Sequence, residues 1–195
     1  MNVVPFLSPA PRGARPLICF VDLQVEYVAG NRELALTSRE PWTSNCRLLL
    51  STARARRLPI AHFRQLRRES LFNEATEFAD WIDEFRPRPF EMVFERSKPS
   101  CYSAERFADF MRSLTDPTMV LAGLTGAGAC LATAVDSLHR GHRCVFVGDA
   151  SSTPSIDDLD EAASQRVVSE LMRGYAEVVP TRRAIEWIDR AKEAV

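Results

Sequence analysis

Val120-Leu-Ala-Gly-Leu-Thr-Gly-Ala-Gly-Ala-Cys-Leu-Ala-Thr-Ala134 is the stretch whose reading decides the fold. Val120, Leu121 and Ala122 form an apolar run of strand type. Gly123, Gly126 and Gly128 then supply backbone angles that side chains forbid. From Ala129 a helical pattern runs to Arg140, and Gly141 stops it. A buried strand that turns sharply into a helix leaves N–H groups pointing above the sheet, where they can hold an anion or a developing oxyanion. Cys130 lies in the first turn, where the helix dipole favours a thiolate. The competing reading is a cysteine packed beneath the turn, because Cys is among the most buried residue types.

The same alternation spreads outward from this corner. Pro16-Leu-Ile-Cys-Phe-Val-Asp22 is an apolar run ending in an acid, which suits a strand buried on both faces. Helical spacing follows over 41–57, a short strand over 59–63, one or two short helices over 71–85, and a strand over 90–94. A helix over 103–114 precedes the corner. After it come a strand over 142–147, a helix over 157–172, a strand over 177–179 and a closing helix over 181–194. Strand–helix alternation of this kind predicts a single α/β domain with three α-β-α layers and a six-stranded, mostly parallel sheet. Right-handed crossovers put every strand's carboxyl end on one rim. That rim collects Asp22, Arg96 or Lys98, the 123–130 corner and Asp149.

Composition sets the outer bounds. The chain of 195 residues is 46% hydrophobic and 26% charged, the balance of an ordinary globular protein with a full core. A formal net charge of -1 offers no basic field for nucleic acid, and no segment reads as a membrane span. The five cysteines are odd in number and lack CxxC spacing, which argues against a disulfide framework and a structural zinc site and points to the cytoplasm. Residues 1–16 carry four prolines and read as an extended segment ahead of a domain over 17–195. His62 has no partner at metal-ligand spacing and reads as structural or pocket-lining, so neither a metal nor another cofactor is expected.

Four short motifs, in order, carry a resemblance. They are Phe20-Val-Asp22-Leu-Gln24, Arg96-Ser-Lys-Pro-Ser100-Cys-Tyr102, the glycine corner Gly123 to Ala134, and Gly141 with a strand to Asp149-Ala150. Together they resemble the isochorismatase-like hydrolase superfamily, a Rossmann-like α/β fold. The resemblance implies hydrolysis of a small amide, carbamate or vinyl ether, no cofactor, and a homo-oligomer, dimer or tetramer. It also implies a catalytic set of aspartate, lysine and cysteine, the cysteine attacking a carbonyl while backbone amides hold the oxyanion.

Asp22 matches the family's aspartate and is expected to be the acid/base. Arg96 stands where the lysine is usual, with Lys98 two residues on as the other candidate. An Asp22–Arg96 pair is expected to depress the Asp22 pKa. Counting from either flank of the corner puts Ala129 in the nucleophile's place and Cys130 one step past it, a rotation of about 100° on a helix. Cys130 is the nucleophile only if the corner is twisted from the family form. True isochorismatases also carry a small residue there, and their vinyl-ether chemistry needs no thiol. Gln24, Tyr27, Tyr102, Thr125 and Ala129 are the expected substrate-binding residues, with the amides of Ala129 and Cys130 as the oxyanion site. The alternative is a family scaffold that has lost its catalysis and binds a small molecule or a protein.

Overall fold

Six apolar runs become six strands because each can bury both faces between helices: β1 (Leu17–Val21), β2 (Ile60–Gln65), β3 (Met92–Arg96), β4 (Thr118–Leu124), β5 (Arg143–Ser152) and β6 (Glu177–Val179). The computed structural model describes residues 15–193, so the extended segment expected over 1–16 lies, except for its last two residues, outside the described residues. The strands form one all-parallel sheet in the order β3-β2-β1-β4-β5-β6.

Among the described residues five α-helices cover the sheet. Helices α1 (Trp42–Ala55) and α5 (Thr181–Glu193) pack on one face with Ile18 and Phe20 of β1. Helices α2 (Glu105–Ser113), α3 (Leu131–His139) and α4 (Glu161–Met172) contribute Phe107, Ala134 and Met172 to the other, with Cys19 and Val21. There Phe107 meets Phe63 edge-on at 4.7 Å and Phe94 at 5.3 Å. Burying each such ring contributes roughly 2–3 kcal/mol.

The strand order reverses between β1 and β4, and open α/β sheets place their ligand crevice at such a switch. The two strands touch closely there. Gly123 has φ +122°, and a Cβ on it would lie 2.1 Å from the Val21 carbonyl oxygen, so only glycine fits.

Two expectations shift in register. Strand β3 begins at Met92, two residues later than the apolar run suggests. Phe90 follows Pro89, sits in a turn closed by Glu91 N–H on the Arg88 carbonyl at 2.9 Å, and is 99% exposed. Arg96 is thereby the last strand residue, opposite Gln65, instead of a loop residue. Over 71–85 the short helices are single 3-10 turns, Glu77–Ala79 and Asp83–Phe85, held by tertiary bonds such as Ile82 N–H to the Leu23 carbonyl at 2.9 Å.

Candidate active site

Asp22 follows the last residue of β1, in the left-handed region at φ 49°, which Asp tolerates better than most residues. Its N–H donates to the Phe63 carbonyl at 2.8 Å, and this turn swings the carboxylate over the sheet toward β3. Arg96 Nη2 donates to Asp22 Oδ2, and neither side chain has exposed surface. Of the two cations expected near Asp22, Arg96 makes the pair. Lys98 is exposed, and its carbonyl accepts from Arg96 Nη1 at 2.5 Å.

The pair does not depress the Asp22 pKa. Burial pushes the carboxyl up to about 7, with the Arg96 guanidinium and the Gln65 backbone amide pulling only partway back. Removing a carboxylate from water outweighs one cation that is itself desolvated.

Gln24 is fully buried and spent on structure. Its Nε2 donates to the carbonyls of Gln65 at 3.0 Å and Ala79 at 2.8 Å, while its Oε1 accepts from Gln65 N–H at 2.8 Å. It clips the end of β1 to the end of β2 and to the turn above them. Tyr102 is directed away from the rim: its hydroxyl meets His142 Nδ1 at 2.8 Å, just before β5 at the amino end of the sheet, and Arg140 lies over its ring. Tyr27 closes the 3-10 turn Val25–Tyr27 that follows Asp22 in the chain. It is buried against Phe72, with ring centroids 5.4 Å apart.

At the corner, Gly126–Cys130 is one π-helical turn leading into α3. The Leu124–Thr125 peptide is cis. Thr125 Oγ1 accepts from Gly128 N–H at 3.2 Å, and the Thr125 carbonyl accepts the Cys130 N–H at 3.1 Å. One of the two expected oxyanion donors is therefore committed within the turn. The Cys130 side chain is fully buried with its Sγ 3.8 Å from the Gly123 carbonyl oxygen of β4, and burial raises its thiol well above the usual range. Ala129 is also buried; its carbonyl accepts from Thr133 Oγ1 at 2.7 Å, which in turn accepts Cys101 N–H at 2.9 Å.

Three groups at or near the site carry no motif in the sequence. Gln65 supplies the backbone beside Asp22. Glu26, buried, takes Arg32 Nε at 2.7 Å and Phe72 N–H at 3.1 Å, and Arg32 Nη2 donates to the Ser70 carbonyl at 2.6 Å, so the segments around 26–32 and 70–72 are tied to each other. On the α1 side, His62 Nε2 meets Glu91 Oε2 at 2.9 Å, and Arg54 Nε donates to Glu91 Oε1 at 2.7 Å, which makes His62 structural. Asp149 Oδ1 accepts from Thr181 N–H at 2.7 Å and so starts α5. Among the described residues no cluster of three or more His, Cys, Asp or Glu side chains could hold a metal ion.

A family model for the isochorismatase domain matches residues 16–181. The chain is 25% identical over 153 residues, 77% of its own length and 80% of the other's, to the secreted isochorismatase effector Isc1 of Verticillium dahliae. It superposes on an isochorismatase from Pseudomonas putida with a TM-score of 0.81 at 23% identity, covering 89% of this chain and 93% of that one. It also superposes on the N-carbamoylsarcosine amidase from Thermoplasma acidophilum with a TM-score of 0.69 at 22% identity, covering 86% and 96%.

Proposed function

The chain belongs to the isochorismatase family, a family of hydrolases, and from that premise we propose that it hydrolyses a small vinyl ether, with Asp22 as acid and base and no thiol nucleophile. One observation carries the reading: the buried Cys130 Sγ lies 3.8 Å from the Gly123 carbonyl oxygen of β4 with its thiol raised, in line with the motif count that assigns the nucleophile's place to Ala129. A carboxyl near 7 suits an acid that must be protonated in part of the population at neutral pH.

In the proposed reaction Asp22 gives its proton to the terminal CH2 carbon of the vinyl ether. The C=C electron pair forms the new C–H bond, and the neighbouring carbon becomes an oxocarbenium. Water adds to that carbon and passes a proton back to Asp22. The resulting hemiketal breaks to a ketone and an alcohol, so one water is consumed and Asp22 is restored. Arg96 keeps its charge throughout. An amide-type bond, as in the N-carbamoylsarcosine named for the T. acidophilum relative, needs Asp22 ionised as a base toward water instead.

A second reading, a binding module, draws support from the burial of the pair: neither side chain has exposed surface. Pyruvate release from isochorismate and ammonia release from N-carbamoylsarcosine, each with unaltered protein and Asp22→Asn, separate the readings. Asp22-dependent pyruvate supports the vinyl-ether route. Absence of Asp22-dependent turnover of either compound sinks it in favour of the binder.

The proposal includes a cytoplasmic homo-oligomer. Five buried free cysteines support the compartment, and the exposed Phe90 next to the unpaired edge of β3 supports assembly. Among the described residues no helix is long and apolar enough to cross a membrane.

A further inference from the structure

The strand-to-helix corner beside Asp22 is braced from outside by a polar chain that the proposed reaction does not use. Val21 pairs with Gly123 in the sheet, so Asp22 and the corner rise from neighbouring strand ends. Two bonds within the corner both run to Thr125: its Oγ1 accepts Gly128 N–H at 3.2 Å, and its carbonyl accepts Cys130 N–H at 3.1 Å. The Ala127 N–H instead leaves the corner and donates to Thr153 Oγ1 at 3.3 Å. The Thr153 hydroxyl donates in turn to Gln165 Oε1 at 2.7 Å, and Gln165 Nε2 donates to the Gly148 carbonyl at 2.9 Å.

The direction of this chain is fixed at its far end. With Nε2 bound to a carbonyl, Gln165 offers its oxygen to Thr153. The Thr153 hydroxyl therefore spends its hydrogen there and turns a lone pair to Ala127. Strand β5 supplies the reach. Between the pairs Leu121–Phe146 and Gly123–Ser151 it runs longer than β4 and bulges; Gly148 lies in the bulge, and Thr153 directly follows the end of the strand. The fit extends to Gly126, where a Cβ would lie 2.7 Å from Gln165 Oε1 and 2.8 Å from Thr153 Oγ1. Thr153 is buried, so both of its bonds are made out of contact with water.

A Gly126-Ala-Gly128 run has many backbone arrangements open to it. Its amides serve a substrate oxygen only in those that aim them beside Asp22. We propose that Thr153 and Gln165 are positioning residues for the hydrolysis: through the Ala127 amide and the Gly126 backbone they hold the corner in the arrangement the reaction needs. This rests on the hydrolase reading above. Neither residue gives or takes a proton in the reaction, so its balance is unchanged.

Pyruvate release from isochorismate reads the effect, with N-carbamoylsarcosine alongside. Thr153→Val removes the hydroxyl at nearly constant volume, and Gln165→Leu removes its acceptor. Each should lower kcat/KM by about tenfold or more, toward the roughly 100-fold that an ångström of misplacement costs. Because the two act as one chain, the double variant should be no worse than the less active single variant. Thr153→Ser keeps the hydroxyl and should stay within a few-fold of the unaltered rate. A merely structural pair would lower the melting temperature of these variants and leave kcat/KM of the folded protein alone. The inference is overturned if Thr153→Val and Gln165→Leu keep kcat/KM while Asp22→Asn is inactive, if their losses multiply in the double variant, or if Thr153→Ser loses as much as Thr153→Val. If neither probe is turned over in an Asp22-dependent way, the hydrolase reading itself fails and the inference falls with it.

Discussion

Arg96, the last residue of the edge strand β3, reaches across β2 and donates from Nη2 to Asp22 Oδ2 at the end of β1. An exposed pair of this kind would hold the carboxyl well below neutrality. Sealed from water it does not: burial dominates, and the carboxyl rises to about 7. The carboxyl of the pair therefore changes protonation near neutral pH.

The direction of the pH–rate profile follows from that unit. If Asp22 acts as the acid, kcat/KM for pyruvate release is level on the acid side and falls about tenfold per pH unit above about 7. An amide route with Asp22 as base gives the opposite slope. Arg96→Met removes the cation that pulls the carboxyl down, so the falling limb moves to higher pH. A limb that stays in place or moves down would show that the two side chains are not coupled.

Gln24 provides a test on stability. Gln24→Leu leaves the Gln65 N–H and the carbonyls of Gln65 and Ala79 buried without that partner. Each orphaned group costs about 1–3 kcal/mol. A net loss of about 3 kcal/mol lowers the melting temperature of a chain this size by roughly 6–12 °C. Calorimetry showing a drop below about 1 °C would mean that the clip is dispensable.

His62 makes stability depend on pH in the acid range. Burial first lowers its pKa to about 4 from an ordinary 6.5, with Glu91 opposing. Between those values the unfolded chain binds the extra proton and the folded one does not, so stability is full above 6.5 and is lost as pH falls toward 4. His62→Gln keeps a donor for Glu91 but cannot titrate. Melting curves of the variant should therefore show a flatter loss between pH 6.5 and 4; an unchanged slope would place the titrating group elsewhere.

The sheet was legible because its strands are buried on both faces and read as unbroken apolar runs, as at Leu17–Val21 and Thr118–Leu124. Asp22 was legible for the same reason, as an acid ending such a run. What the sequence hid depends on contacts between distant residues. The start of β3 is set by the turn at 88–91, not by the hydrophobicity of Phe90. Tyr102 looks like a rim residue by its distance from Arg96, yet a histidine at the opposite end of the sheet takes its hydroxyl. The sign of the Asp22 shift could not be had from charge pairing alone, because it rests on the burial of the pair in the folded chain.

The central claim is that Asp22 does the chemistry without a thiol. The direct measurement is pyruvate release from isochorismate by the unaltered protein, Cys130→Ala and Asp22→Asn under the same conditions. The account predicts that Cys130→Ala stays within a few-fold of the unaltered rate, while Asp22→Asn loses about 10²–10⁴-fold, the usual worth of a positioned acid. Loss of activity in folded Cys130→Ala, with Asp22→Asn largely intact, would contradict it.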